Sequence, residues 1–145
     1  MTRYFTLITL VASMGLILIA CDPPDTDPDE PAGTVTEDGP ASIDDGGITE
    51  VPDDGELAEK GEELFAAKGC AGCHQMDADG AGPALSGITE RRTAPWLARM
   101  IMHPEEMTDQ DPVAQQVSDQ FPAPMIATPV SPDEAEALIA YLATQ

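Results

Sequence analysis

The chain has 145 residues, with 27 acidic and 6 basic side chains for a formal net charge of −21. So acidic a balance excludes a partner chosen by its phosphates, and no nucleic acid is expected. Fourteen prolines, twelve glycines and an aromatic content of 4 % leave little material for a large core.

In chain order, Thr2 to Ala20 carry one positive charge at Arg3 and then an almost unbroken apolar run, as in a secretory signal. The run ends in "LIAC", which resembles the lipobox of bacterial lipoproteins, with cleavage before Cys21 and the lipid on Cys21. The alternative is an uncleaved helix, although Tyr4 to Ala20 sits at the short limit of about 17–25 residues for a span. Either way the chain is exported and held at a membrane. Asp22 matches the enteric signal that retains a lipoprotein in the inner (cytoplasmic) membrane, which gives a periplasmic localisation. Residues 1–20 are therefore read as a lipoprotein signal peptide.

Residues 21–55 are read as the lipidated cysteine and an acidic, proline-rich linker. Asp22 to Gly55 hold twelve acidic residues, no basic one, six prolines and no aromatic residue. Such a stretch buries too little apolar surface to offset its ordering entropy, so a disordered tether is expected. A calcium-binding repeat is the alternative, but "DPPDTDPDEP" lacks the glycine turn of an EF-hand loop.

The remaining residues, 56–145, suffice for one small domain, expected to be a monomer. They carry fifteen acidic and five basic residues, a balance of −10. Leu57, Gly61, Leu64 and Phe65 share one face of a helix that should end near Gly69. "TAPWLARMIMH" places Trp96, Leu97, Met100 and Ile101 on one side of a second helix, stopped by Pro104. "DPVAQQV" reads as a short helix capped by Asp111. Ser131, Pro132 and Glu134 mark the start of the last helix, whose apolar stripe is Ala135, Leu138, Ile139 and Leu142. No strand pattern competes.

Chemistry concentrates in "KGCAGCHQM", Lys68 to Met76. A Cys-x-x-Cys pair can be a redox dithiol, half of a zinc site, a disulfide or an attachment point for haem. Zinc needs four ligands, and beyond this pair the chain offers only His74, His103 and Cys21. A thioredoxin-type dithiol needs a strand before it, and none is signalled. Histidine directly after the second cysteine is the haem c pattern, in which Cys70 and Cys73 bond the porphyrin and His74 binds its iron. One covalent haem c is therefore expected, and a buried porphyrin would also supply core to a small, aromatic-poor domain.

A ligating imidazole needs an acceptor for its other nitrogen, and the turn "DGAGP" can bring a backbone carbonyl back toward His74. For the sixth iron position five methionines compete. Met76 follows His74 too closely to reach the opposite face, Met100 shares the apolar stripe of the Trp96 helix, and Met102 and Met107 lack distinguishing context. Met125 lies in "FPAPMIATPVSP", where four prolines could hold its thioether rigidly, and is the preferred ligand. His103 is the competing one.

The elements "GEELF", "CAGCH", "GAGPAL", a tryptophan-bearing helix, a methionine in a proline-rich loop and "EALIAYL" together resemble the monohaem class I cytochromes c of bacteria. The resemblance spans Leu57 to Leu142 and implies an all-α fold around one covalent haem. It implies close packing of Gly61 and Phe65 on Tyr141, iron bound by His74 and Met125, and Pro83 accepting from His74. It further implies that Trp96 meets a haem propionate, and Arg91 and Arg92 are possible propionate partners by charge and nearness. The implied role is an electron carrier, not an enzyme, between a quinol-oxidising complex and a terminal oxidase or periplasmic reductase. The segments "GPALSGITERR…WLARMI" and "DPVAQQ" are also similar to cytochromes associated with the copper reductases of nitrous oxide. The acidic charge points to redox partners with basic docking surfaces. Two other readings stay open: a haem sensor or haem enzyme with a labile sixth ligand, and a thiol-redox lipoprotein without haem.

Overall fold

The computed structural model describes residues 37–145; the signal segment, Cys21 and the linker to residue 36 lie outside the described residues. Six α-helices succeed one another there: α1 Gly55–Ala67, α2 Ile88–Arg91, α3 Ala94–Met102, α4 Pro104–Gln110, α5 Pro112–Ser118 and α6 Pro132–Ala143. A single 3₁₀ turn, Cys70–Gly72, comes after α1. Among the described residues there is no β-strand, as the all-α reading expects, and no helix is long and apolar enough to cross a membrane.

Most of the helices start where a side chain can accept the orphan N–H groups of the first turn. Asp54 accepts from Glu56 and Leu57, Thr93 from Trp96, and Asp111 from Val113 and Ala114. At α6 the expected capping box forms: Ser131 Oγ accepts from the Glu134 N–H, and the Glu134 carboxylate accepts from the Ser131 N–H at 2.9 Å. That N–H, and next the Lys68 ammonium, hold the Glu134 carboxyl below its usual range. Its contribution is thus present above the ordinary carboxyl pKa and is lost as pH falls through the lowered folded value.

Helix α4 and the short α2 go beyond the sequence expectation. Pro104 does stop α3, but it also occupies the first position of α4, where its missing N–H costs nothing. One residue, His103, is both the end of α3 and the start of α4.

The folded unit also begins earlier than Glu56. Within residues 37–54, expected as tether, the stretch 37–48 lies against the helices, with Ile43 and Ile48 buried beside Ala94, Leu97, Met107 and Ile139. Composition missed this because the cation that holds the segment is elsewhere. Arg99 of α3, itself buried, donates to the Ile43 and Asp38 carbonyls and pairs with Asp45 at 2.7 Å.

Helices α1 and α6 pack most closely. A Cβ built on Gly61 would stand 2.0 Å from the Ala137 carbonyl oxygen and 2.7 Å from Tyr141 Cβ. One turn later the Phe65 and Tyr141 rings meet at 5.5 Å, tilted by 51°. Gly61→Ala must therefore push the helices apart, and we expect it to cost at least the upper part of the about 1–3 kcal/mol typical of overpacking, read from denaturant unfolding. Gly55→Ala, with nothing within 4 Å, should leave the midpoint almost unchanged.

Candidate haem site

Helix α1 stops at Lys68, and Gly69 takes the left-handed conformation at φ 82°, which turns the chain sharply. The next turn is tight enough for the Cys73 and His74 N–H groups both to reach the Cys70 carbonyl, at 3.2 and 3.0 Å. Cys70, Cys73 and His74 thereby face one cavity. The loop after His74 folds back on itself: Gly82 N–H donates to the Cys73 carbonyl at 3.0 Å, Leu85 N–H to the Gln75 carbonyl at 3.0 Å, and Asp79 accepts from the Ala84 N–H.

This return delivers the Pro83 carbonyl to 3.0 Å from His74 Nδ1. A carbonyl can only accept, so Nδ1 is the donor, and in the neutral ring Nε2 is then the nitrogen with a lone pair to offer. The Gly82 backbone lies against the ring, where a Cβ would be 2.7 Å from Cε1 and 3.0 Å from Nδ1. In sequence Gly82 is an ordinary turn glycine; only the fold reveals that it leaves room for the imidazole.

The cavity measures about 450 Å³, within the range of about 300–1,000 Å³ usual for small-ligand sites. Its walls are mainly apolar, from Phe65, Leu85, Leu97, Ile101, Leu138 and Leu142, and they include Met125 and Ile126 of the proline-rich loop. Every sequence-derived haem contact within the described residues lines it: Cys70, Cys73, His74, Pro83, Arg91, Arg92, Trp96 and Met125. Of the competing methionines only Met100 does. Met76 packs beside the Phe65 and Leu138 cluster, and Met107 is fully buried in the core with Ile43. His103 and Met102 line a separate cavity of about 350 Å³.

Trp96 is 7 % exposed, and the Arg92 guanidinium lies 5.1 Å from its ring centroid. Arg91 donates to the Ser86 carbonyl at 2.9 Å and Arg92 to the Arg91 carbonyl at 2.7 Å, which leaves their other N–H groups for an anionic partner. A further cation, Lys68, has a duty that no local pattern signals. It spans from α1 to the far side of the site, donating to the Pro129 carbonyl at 2.7 Å and pairing with Glu134 at 2.9 Å. It ties the end of α1 to the chain between Met125 and α6.

Cys70 and Cys73 are not joined to each other. Burial pushes the Cys70 thiol up, while the nearby Lys68 ammonium acts against that shift. Two adjacent thiols, an imidazole with one nitrogen bare, and an apolar cavity with guanidinium groups in its wall form a set that suits a covalently attached iron porphyrin.

Comparison with known proteins agrees with this geometry. The cytochrome c family model matches residues 58–145, well over half of the chain. No curated protein matches it. Among solved structures, an engineered cytochrome c from Rhodothermus marinus bound to a carbene intermediate is 33 % identical, with a TM-score of 0.57 over 63 % of this chain and 78 % of that one. The cytochrome c from Rhodothermus marinus is 29 % identical, with a TM-score of 0.65 over 79 % and 96 % respectively. The chain belongs to the cytochrome c family and carries one covalent haem c, with its iron, at Cys70 and Cys73.

Proposed function

We propose that this electron-transferring cytochrome c is a lipid-anchored single-electron carrier in a bacterial respiratory chain. It takes electrons from a quinol-oxidising complex and passes them to a terminal oxidase or a periplasmic reductase, with nitrous oxide reductase the narrower candidate. When bound, the haem supplies the one-electron couple of its iron. His74, oriented by Pro83 and Gly82, would hold that iron through Nε2, and Met125 of the same cavity would supply the second protein ligand. The free N–H groups of Arg91, Arg92 and the Trp96 indole are assigned to the propionates.

One observation carries the electron-carrier reading. His74 and Met125 line the same cavity, and among the described residues no carboxylate and no second imidazole line it with them. A haem enzyme needs a group beside the iron that can take or give a proton, and these walls offer little for that task.

The lipobox ending at Cys21 supports an anchor on the periplasmic face of the inner membrane. Because the chain already packs against the helices from Glu37 onward, at most residues 22 to 36 separate that anchor from the domain. At 3.3–3.6 Å per residue these fifteen span at most about 50 Å, under half the reach of a tether running to residue 55. A short leash raises the effective concentration of the domain near membrane complexes, so brief, weak encounters suffice.

The charge is asymmetric. From residue 37 on there are twenty-two acidic and five basic residues, yet Lys68, Arg91 and Arg92, three of the five, line the cavity. The long-range field favours partners with basic surfaces, while contact at the haem edge is made by apolar groups such as Ile126, 70 % exposed.

Three outcomes test this reading. Met125→Ala should remove the sulfur-to-iron absorption band and let carbon monoxide bind the reduced iron, whereas Met107→Leu and His103→Ala should do neither. Gly82→Ala should displace the His74 ring from Pro83 and convert part of the iron to a high-spin spectrum, with the helical far-UV signal unchanged. Stopped-flow oxidation by the true acceptor should slow as salt rises past about 0.1 M, where the Debye length is about 10 Å; a rate flat in salt removes the electrostatic part.

A further inference from the structure

Residues 37–48 cross the outside of the haem cavity's wall without entering it. None of them lines the cavity, yet they touch a residue that does. Gly39, at φ 82°, lies so close to Trp96 that a Cβ there would be 3.3 Å from indole Cδ1, the carbon bonded to the ring N–H, and 3.2 Å from Met107 Cε. The segment therefore abuts the pyrrole edge of the indole while Arg92 covers its face at 5.1 Å. Thr93 Oγ1, three residues before Trp96, donates to the Glu37 carbonyl at 3.3 Å.

The segment is closed by a latch. Arg99, on the same helix as Trp96 and 7 % exposed, donates from Nε to the Ile43 carbonyl at 2.9 Å, from Nη1 to the Asp38 carbonyl, and from Nη2 to the Asp45 carboxylate at 2.7 Å. Three of its donors thus end on this one segment. A buried guanidinium with such partners is costly to open, because release would strand a desolvated charge. Ile43 and Ile48 add apolar burial, and a Cβ on Gly46 would be 2.8 Å from Pro132 Cβ at the start of α6. A glycine is needed at both contact points, where φ is 82° and 66°.

We propose that residues 37–48 form a strap, latched by Arg99, which holds Trp96 in the cavity wall, keeps water from that edge of the haem and thereby raises its reduction potential. The inference rests on haem lying in this cavity and not on the choice of sixth ligand, partner or anchor. On oxidation the iron–porphyrin core gains one positive charge. Water reaching it stabilises that form, so exclusion of water favours the reduced one. Arg99, Asp45 and Gly39 are positioning residues in this scheme, acting through Trp96.

The sign of one variant separates this from simple electrostatics. Asp45→Asn removes a negative charge, which by itself disfavours the oxidised core and would raise the potential. Loosening the strap lowers it. Gly39→Ala strains the strap and presses it off Trp96 and Met107 with no change of charge. Both substitutions lie in the strap and leave the cavity lining intact; Arg99→Met, which removes a buried side chain, could instead unfold the domain. Redox titration of each holoprotein should give a midpoint potential below wild type, together with a changed emission from Trp96, the chain's only tryptophan, and faster amide exchange at Ile43 and Ile48. A midpoint unchanged or raised in Gly39→Ala while exchange at Ile43 and Ile48 is faster overturns the proposal. So does a midpoint raised in Asp45→Asn.

Discussion

Helices α1 and α6 can approach as they do only because residue 61 has no side chain. The Gly61 backbone rests against the Ala137 carbonyl, nearer than any Cβ could be tolerated. That contact sets the positions of the later residues on both helices. Phe65 reaches Tyr141, Lys68 reaches Pro129 and Glu134, and the turn at Gly69 swings Cys70 and Cys73 toward the cavity floor made by Leu138 and Leu142. A wider crossing would carry the attachment cysteines away from the wall that bears Trp96 and Met125, so the helix contact is what brings the cofactor's contacts into register.

Side chains alone do not close this core. The cavity of about 450 Å³ is walled mainly by apolar side chains, and leaving that surface to water costs stability that a bound apolar group recovers. Covalent haem fills that space with apolar surface and bonds it to the turn after α1. The polar work is divided outside: Pro83 and Gly82 orient one imidazole, Lys68 ties the two sides together, and Arg99 holds the strap. Pocket and periphery thus answer different demands, apolar filling inside and charge pairing outside.

How much of this was legible depended on range. The Cys70, Cys73 and His74 cluster and the Ser131 capping box are local patterns whose chemistry is complete within a few residues, and both were readable. So was the apolar face of α1, because period and packing coincide there. The strap was not, because its cation lies more than fifty residues away on α3, and twelve acids with six prolines look like pure linker until Arg99 is placed among them. Gly82 was invisible for a similar reason: its partner is the His74 ring, and nothing in "DGAGP" separates a turn glycine from one that makes room for a ligand. Helix α4 was hidden by Pro104, which a sequence reading takes as a stop although the first turn of a helix accepts proline freely.

The haem is, on these grounds, part of the core and not cargo placed in a finished fold. Far-UV circular dichroism with thermal melting, and amide hydrogen exchange, on the chain made without its haem test this most directly. If the porphyrin completes the core, that chain will show no cooperative melting transition and little exchange protection across Gly61 to Phe65 and Leu138 to Leu142. A haem-free chain that melts cooperatively, with those amides protected as in the holoprotein, would contradict it.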